Sequence, residues 1–127
     1  MKKTLIGFAL SAALVLGAGA AKAQGIKMPA ASPSQKVEQA VGLGTVSLDY
    51  SRPSMRGREI FGDLVPYDKV WRTGANASTK IKFSDEVTIQ GNKIPAGEYA
   101  LYTIPGKEEW TIIIHKNTKH WGDGGQD

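Results

Sequence analysis

From Lys36 onward, apolar side chains recur at every second position in short runs, and nowhere at the i, i+3, i+4, i+7 spacing of a helix face. A period of two puts successive side chains on opposite faces of an extended backbone, so this patterning predicts strands rather than helices. Val37, Gln39 and Val41 alternate with Glu38 and Ala40; after Gly42-Leu43-Gly44 the pattern resumes at Val46, Leu48 and Tyr50. Ile81 and Phe83 lie between Lys80 and Lys82, Ser84-Asp85-Glu86 turns the chain, and Val87 and Ile89 follow. Gln90-Gly91-Asn92-Lys93 reads as a tight turn, because Gly and Asn tolerate positive φ. Pro95-Ala96-Gly97 leads into the aromatic strand Glu98 to Ile104, and Pro105 to Glu109 turns onto Trp110 to His115. Six short strands separated by turn residues predict an all-β fold, an antiparallel β-sandwich or partial barrel. The run Ile112-Ile113-Ile114 predicts a strand buried on both faces, hence a central one. Only the polar, glycine-rich Lys116 to Asp127 follows it, so the expectation is a domain truncated at its C-terminus.

The start of the chain is built differently. Lys2 and Lys3, an apolar run from Leu5 to Ala18 and the small-x-small triplet Ala21-Lys22-Ala23 form a signal peptide over residues 1–23, with cleavage expected between Ala23 and Gln24. The apolar run is short for a transmembrane helix, and no later run replaces it, so no stable membrane insertion is expected. Residues 24–35, rich in small residues and proline, read as a flexible linker, and 36–127 as one domain. The 127-residue chain holds 16 Lys+Arg and 12 Asp+Glu; removing Lys2, Lys3 and Lys22 leaves 13 against 12, a net charge of +1. The basic balance therefore belongs to the export segment, and nothing in it predicts a nucleic-acid partner. With no cysteine the domain has no disulfides and depends on its core, although a periplasmic or extracellular location would permit them.

One stretch breaks the strand pattern. Tyr50 to Asn76 holds Arg52, Arg56, Arg58 and Arg72 among Ile60, Phe61, Leu64, Val65, Tyr67, Val70 and Trp71. A connection of this length between strands, when ordered, is often functional. Guanidinium forks suit carboxylates, phosphates and sulfates. The four arginines are candidate anion contacts, with Tyr67 and Trp71 as an apolar wall and Asn76 beside them. The competing reading pairs them with Asp49, Glu59, Asp63 and Asp68 to clamp the loop, the commoner fate of mixed charges in one segment.

Other chemistries find little footing. Gly57 and Gly62 have phosphate-loop spacing, but Asp63-Leu64 stand where Lys and Ser/Thr are needed, and Gly42-Leu43-Gly44 joins two strands. No cofactor is implied. His115, His120 and Asp123 have a loose metal-ligand spacing without the cysteines or closer histidines of zinc sites, so no metal ligand is assigned. Ser51, Ser54, Ser78 and Ser84 lie in no nucleophile motif, so no catalytic residue is assigned. Asp49, Asp63 and Asp68 would have to converge in a cleft to act as a glycosidase pair. Trp71, Trp110 and Trp121 offer ring faces for sugars, although tryptophans in a sandwich are more often core plugs. Asn76-Ala77-Ser78 fits a glycosylation sequon but reads as a return loop.

The segment YSRPSMRGREIFGDLVPYDKVWRTGAN, followed by PAGEYALYTIP and WTIII, resembles a family of exported bacterial proteins, common in Bacteroidetes, known as domain of unknown function 2911. The resemblance spans roughly Val37 to Gly122 and implies export and a β fold that continues through further strands, without implying a chemistry. His115 and His120 stand where that family usually has Asn and Gln, which argues against a catalytic role for either. The expected protein is a non-enzymatic binding or interaction module whose partner is a small anionic or carbohydrate ligand or an envelope protein. The alternatives are a glycan-acting enzyme of the envelope and a purely structural envelope protein.

Overall fold

The computed structural model describes residues 25–119. The expected signal segment and its Ala23–Gln24 cleavage site lie outside them, as do His120, Trp121 and Asp123.

Among the described residues all regular structure is strand, and every strand pair is antiparallel. The strands are β1 (Ser34–Val41), β2 (Gly44–Ser51), β3 (Thr79–Phe83), β4 (Val87–Ile89), β5 (Asn92–Ile94), β6 (Gly97–Pro105) and β7 (Trp110–His115). Five of them form one sheet in the order β1-β2-β3-β6-β7, and β4-β5 is a separate hairpin inserted between β3 and β6. The fold is all-β and sandwich-like, and it does not close into a barrel.

Local chemistry explains the hairpins. β1 and β2 turn at Gly42-Leu43, with Val41 opposite Gly44 and Gly42 at φ 60°. The β4-β5 turn is tighter than the sequence suggests. Gln90 and Gly91 have φ of 48° and 80°, and Ile89 pairs with Asn92. Two consecutive positive φ values match the primed turn whose twist suits a hairpin. Asn92 and Lys93 are thereby released from the turn into a seventh strand.

The core gathers on β6, which alone among the described strands is buried on both sides. Tyr99, Thr103 and Pro105 lie on one face and Ala100 and Tyr102 on the other. β3 adds Thr79 and Phe83, with the Phe83 and Tyr99 rings 6.1 Å apart. The isoleucine strand, expected to be central in a longer domain, stands last in the described sheet. Among the described residues β7 pairs only with β6, and Ile112 is 57% exposed. β1 departs from expectation: first in the described sheet, it leaves Val37 and Val41 exposed.

The long connection between β2 and β3 is tied to the end of β6. Trp71 and Thr103 exchange backbone hydrogen bonds of 2.8 and 2.9 Å, and the Asp68 N–H donates to the Pro105 carbonyl at 2.9 Å. The connection thus continues the sheet beyond the start of β3.

Candidate functional site

The connection is built from small hydrogen-bonded units. At its start the Arg52 N–H donates to the Pro33 carbonyl at 2.9 Å, extending the β1-β2 ladder by one step. Next comes a turn over Met55–Arg58: the Arg58 N–H reaches the Met55 carbonyl at 3.1 Å, and Arg56 and Gly57 have φ of 52° and 70°. This is the primed geometry again, with an arginine in the place that Asn usually fills. The Arg58 side chain holds the same unit from above. Its Nε donates to the Met55 carbonyl at 3.0 Å and its Nη2 to the Ser54 carbonyl at 2.9 Å.

A second unit spans Ile60 to Val65, where the Gly62 N–H donates to the Val65 carbonyl at 2.9 Å and the Val65 N–H to the Ile60 carbonyl at 2.8 Å. Gly62 has φ of 93°, and a Cβ there would lie 2.8 Å from Tyr67 Cε2. Only glycine meets both conditions without strain. Val65 is buried and anchors the unit.

The return to β3 carries backbone strain. Thr73 and Asn76 have φ of 55° and 61°. For a β-branched residue this region is a true outlier, costing about 1–2 kcal/mol. The Thr73 hydroxyl lies 2.9 Å from that of Thr103, and the Thr73 carbonyl accepts from Thr79 Oγ1 at 3.0 Å. Those bonds hold the strained residue in place.

Between these units lies a cleft of about 640 Å³, within the range of small-molecule sites. Arg52, Arg58 and Arg72 stand in its wall, and among the described residues no Asp or Glu does. Ile60, Leu64, Val65, Met55 and Trp71 supply an apolar surface beside the guanidiniums. The Trp71 ring is fixed by edge contacts to Phe61 at 6.0 Å and Trp110 at 6.3 Å, and those two rings meet at 5.1 Å.

Of the residues predicted from sequence, Arg52, Arg58, Arg72 and Trp71 therefore share one cleft. Arg56, Tyr67 and Asn76 do not line it. Arg56 is exposed at the tip of its turn, Tyr67 packs beside Gly62 with the Lys107 amine 5.9 Å from its ring centre, and Asn76 donates to Ser51 Oγ at 3.4 Å. The ionic clamp that the sequence also suggested does not involve Arg52, Arg56 or Arg58. Among the described residues Arg52, Arg56 and Arg58 form no ion pair with Asp49, Glu59, Asp63 or Asp68. Carbonyl bonding by Arg58 and backbone bonds hold that part of the loop. The apolar wall is Trp71 without the expected Tyr67, joined by residues that the sequence reading did not include. Met55 and Leu64, 61% and 50% exposed, belong to it. Their signal in the sequence was weak, because an apolar residue inside an irregular loop looks the same whether it faces a core or a cleft.

Fold and cleft together define an open antiparallel β domain that carries a cationic, apolar-walled cleft on one long connection. The chain belongs to the family described as protein of unknown function (DUF2911), which matches residues 32–127. Comparison with curated proteins and with solved structures finds no match to either.

Proposed function

We propose that this is an exported, non-catalytic binding module that takes an anionic ligand in the cleft between the Met55–Arg58 turn, the Ile60–Val65 unit and the Arg72–Ala75 return. One observation carries the reading: three guanidinium side chains line a cleft of about 640 Å³ whose described wall contains no acid. Arg52 and Arg58 form no ion pair among the described residues, and positive charge of that kind against an apolar surface attracts an anion and holds it more strongly than open solvent would. A carboxylate pair for glycoside hydrolysis finds no support in the same wall. Export is supported by Lys2, Lys3, the apolar run from Leu5 to Ala18 and Ala21-Lys22-Ala23.

The reading is tested by thermal unfolding of the full chain with sulfate, acetate and benzoate, beside the variant Arg52→Ala. A ligand that binds only the folded state raises the melting temperature. At least one anion stabilises the parent and not the folded variant if the cleft is the site. Equal stabilisation of both proteins, or of neither, removes it. For export, mass spectrometry of the protein recovered outside the cytoplasm reads a chain beginning at Gln24.

A further inference from the structure

Building on the anion reading of the cleft, we infer that its ligand is an amphipathic monoanion: one carboxylate or sulfonate head gripped by Arg52, and an apolar body lying along Met55, Ile60, Leu64 and Trp71. The arginines of the cleft are not equivalent. Arg58 already spends Nε and Nη2 on the Met55 and Ser54 carbonyls, at 3.0 and 2.9 Å. Its guanidinium adds charge, but it is held to the turn that it supports. Arg52 differs. Its backbone is pinned by the 2.9 Å bond to Pro33, while its exposed side chain makes no hydrogen bond or ion pair among the described residues. An anchored backbone with an uncommitted planar fork is suited to one bidentate head group.

The apolar half of the cleft sets the rest of the ligand. Leu64 and Met55 expose 50% and 61% of their surface beside the arginines, an unfavourable arrangement unless something apolar covers them. Trp71 presents its ring to the same space while its other contacts, to Phe61 and Trp110, keep it from turning away. A compact inorganic anion would satisfy Arg52 and leave this surface wet. A neutral apolar molecule would do the reverse. An amphipathic anion meets both halves at once.

The test uses three probes on the full chain: 1-anilinonaphthalene-8-sulfonate, the neutral N-phenyl-1-naphthylamine, which lacks only the sulfonate, and inorganic sulfate. Fluorescence titration follows the first two, and sulfate is read by competition and thermal shift. The sulfonate probe is expected to bind with one-to-one stoichiometry, about 10- to 100-fold more tightly than the neutral probe, since a charge-assisted hydrogen-bond pair is worth that much. Arg52→Ala should abolish the preference, Arg52→Lys should restore part of it, and Leu64→Asn should weaken both naphthyl probes and not sulfate. Equal affinity of the neutral and sulfonate probes overturns the inference, as does sulfate binding as tightly as the sulfonate probe. The sulfate outcome, if sensitive to Arg52→Ala, leaves the anion site standing and removes only the amphipathic class. Sulfonate binding unchanged in a folded Arg52→Ala removes both.

Discussion

Gly62→Ala is the substitution whose cost can be worked most directly from the structure. The new methyl meets two obstacles. At φ 93° an L-residue is strained, at about 1–2 kcal/mol. The Cβ would also stand 2.8 Å from Tyr67 Cε2, so the half-buried ring must shift by several tenths of an ångström. Overpacking of that kind costs about 1–3 kcal/mol, and the stiffer unfolded chain returns about 0.4–1 kcal/mol. The net is about 2 kcal/mol, or a fall of ~8–16 °C in melting temperature for a domain of this size. Gly91→Ala separates the two causes. Gly91 has a similar φ of 80° but nothing within 4 Å of its would-be Cβ. It should therefore lose only about 1 kcal/mol, the strain less the unfolded-state gain. The assay is chemical denaturation of both variants, with Tyr67→Ala and the double variant Gly62→Ala/Tyr67→Ala completing a cycle. A coupling of about 1 kcal/mol between positions 62 and 67 is expected, because truncating the ring removes the clash. Equal losses for Gly62→Ala and Gly91→Ala, or a cycle that closes additively, would refute the argument that Tyr67 is what requires glycine at position 62.

Three further outcomes follow from single observations. The Tyr102 hydroxyl is buried with no hydrogen-bond partner among the described residues, so Tyr102→Phe should stabilise the domain by about 1 kcal/mol; an unchanged or lowered denaturation midpoint would show that the hydroxyl is satisfied. Arg56 occupies the first central position of a primed turn at φ 52° and lines no part of the cleft, so Arg56→Asn should raise stability by about 0.5–1 kcal/mol and leave sulfonate-probe affinity unchanged. Reduced probe affinity in that variant would return Arg56 to the site. Trp110 is 43% exposed yet contacts both Phe61 and Trp71, so Trp110→Ala should cost about 2 kcal/mol, below the 3–5 of a fully buried aromatic, and should flatten the near-ultraviolet dichroism. A loss under about 0.5 kcal/mol would mean that the ring cluster is not a structural unit.

The strands were legible because a half-buried sheet writes its period directly into the chain. Val46, Leu48 and Tyr50, or Ile81 and Phe83, could hardly be read otherwise. Strand order was not legible. Composition marks Trp110 to His115 as a strand with a neighbour on each side, and among the described residues β7 pairs only with β6; the order of strands depends on which connections can reach as well as on how apolar a strand is. In the connection, the unusual arginine content drew attention to the segment in which Arg52, Arg58, Arg72 and Trp71 share one cleft. What sorted them was invisible in sequence. Arg58 bonds two carbonyls of its own turn, Arg56 sits in a left-handed conformation at a tip, and Arg52 does neither. Those differences arise from backbone geometry at Met55–Arg58, which one Gly after an Arg does not announce.

Trp71 shows why the cleft and the sheet behave as one object. Its backbone is paired in both directions with Thr103, in the strand that carries most of the core. Its ring is caught between Phe61 of the Ile60–Val65 neighbourhood and Trp110 at the start of β7. The next two residues, Arg72 and Thr73, turn into the cleft wall, and Thr73 is held in its strained conformation by Thr103 and Thr79. A side chain attached to such a segment loses little further freedom when a ligand arrives, since its backbone is already fixed by the fold. Strain of this kind persists only where surrounding contacts over-determine it, and it concentrates at sites that hold a ligand. The same reasoning explains why Arg52 and Arg58 need no acidic partners in the loop. Arg58 is oriented by carbonyls and Arg52 by the β1-β2 ladder, so both can stand beside an apolar surface with positive charge left to offer.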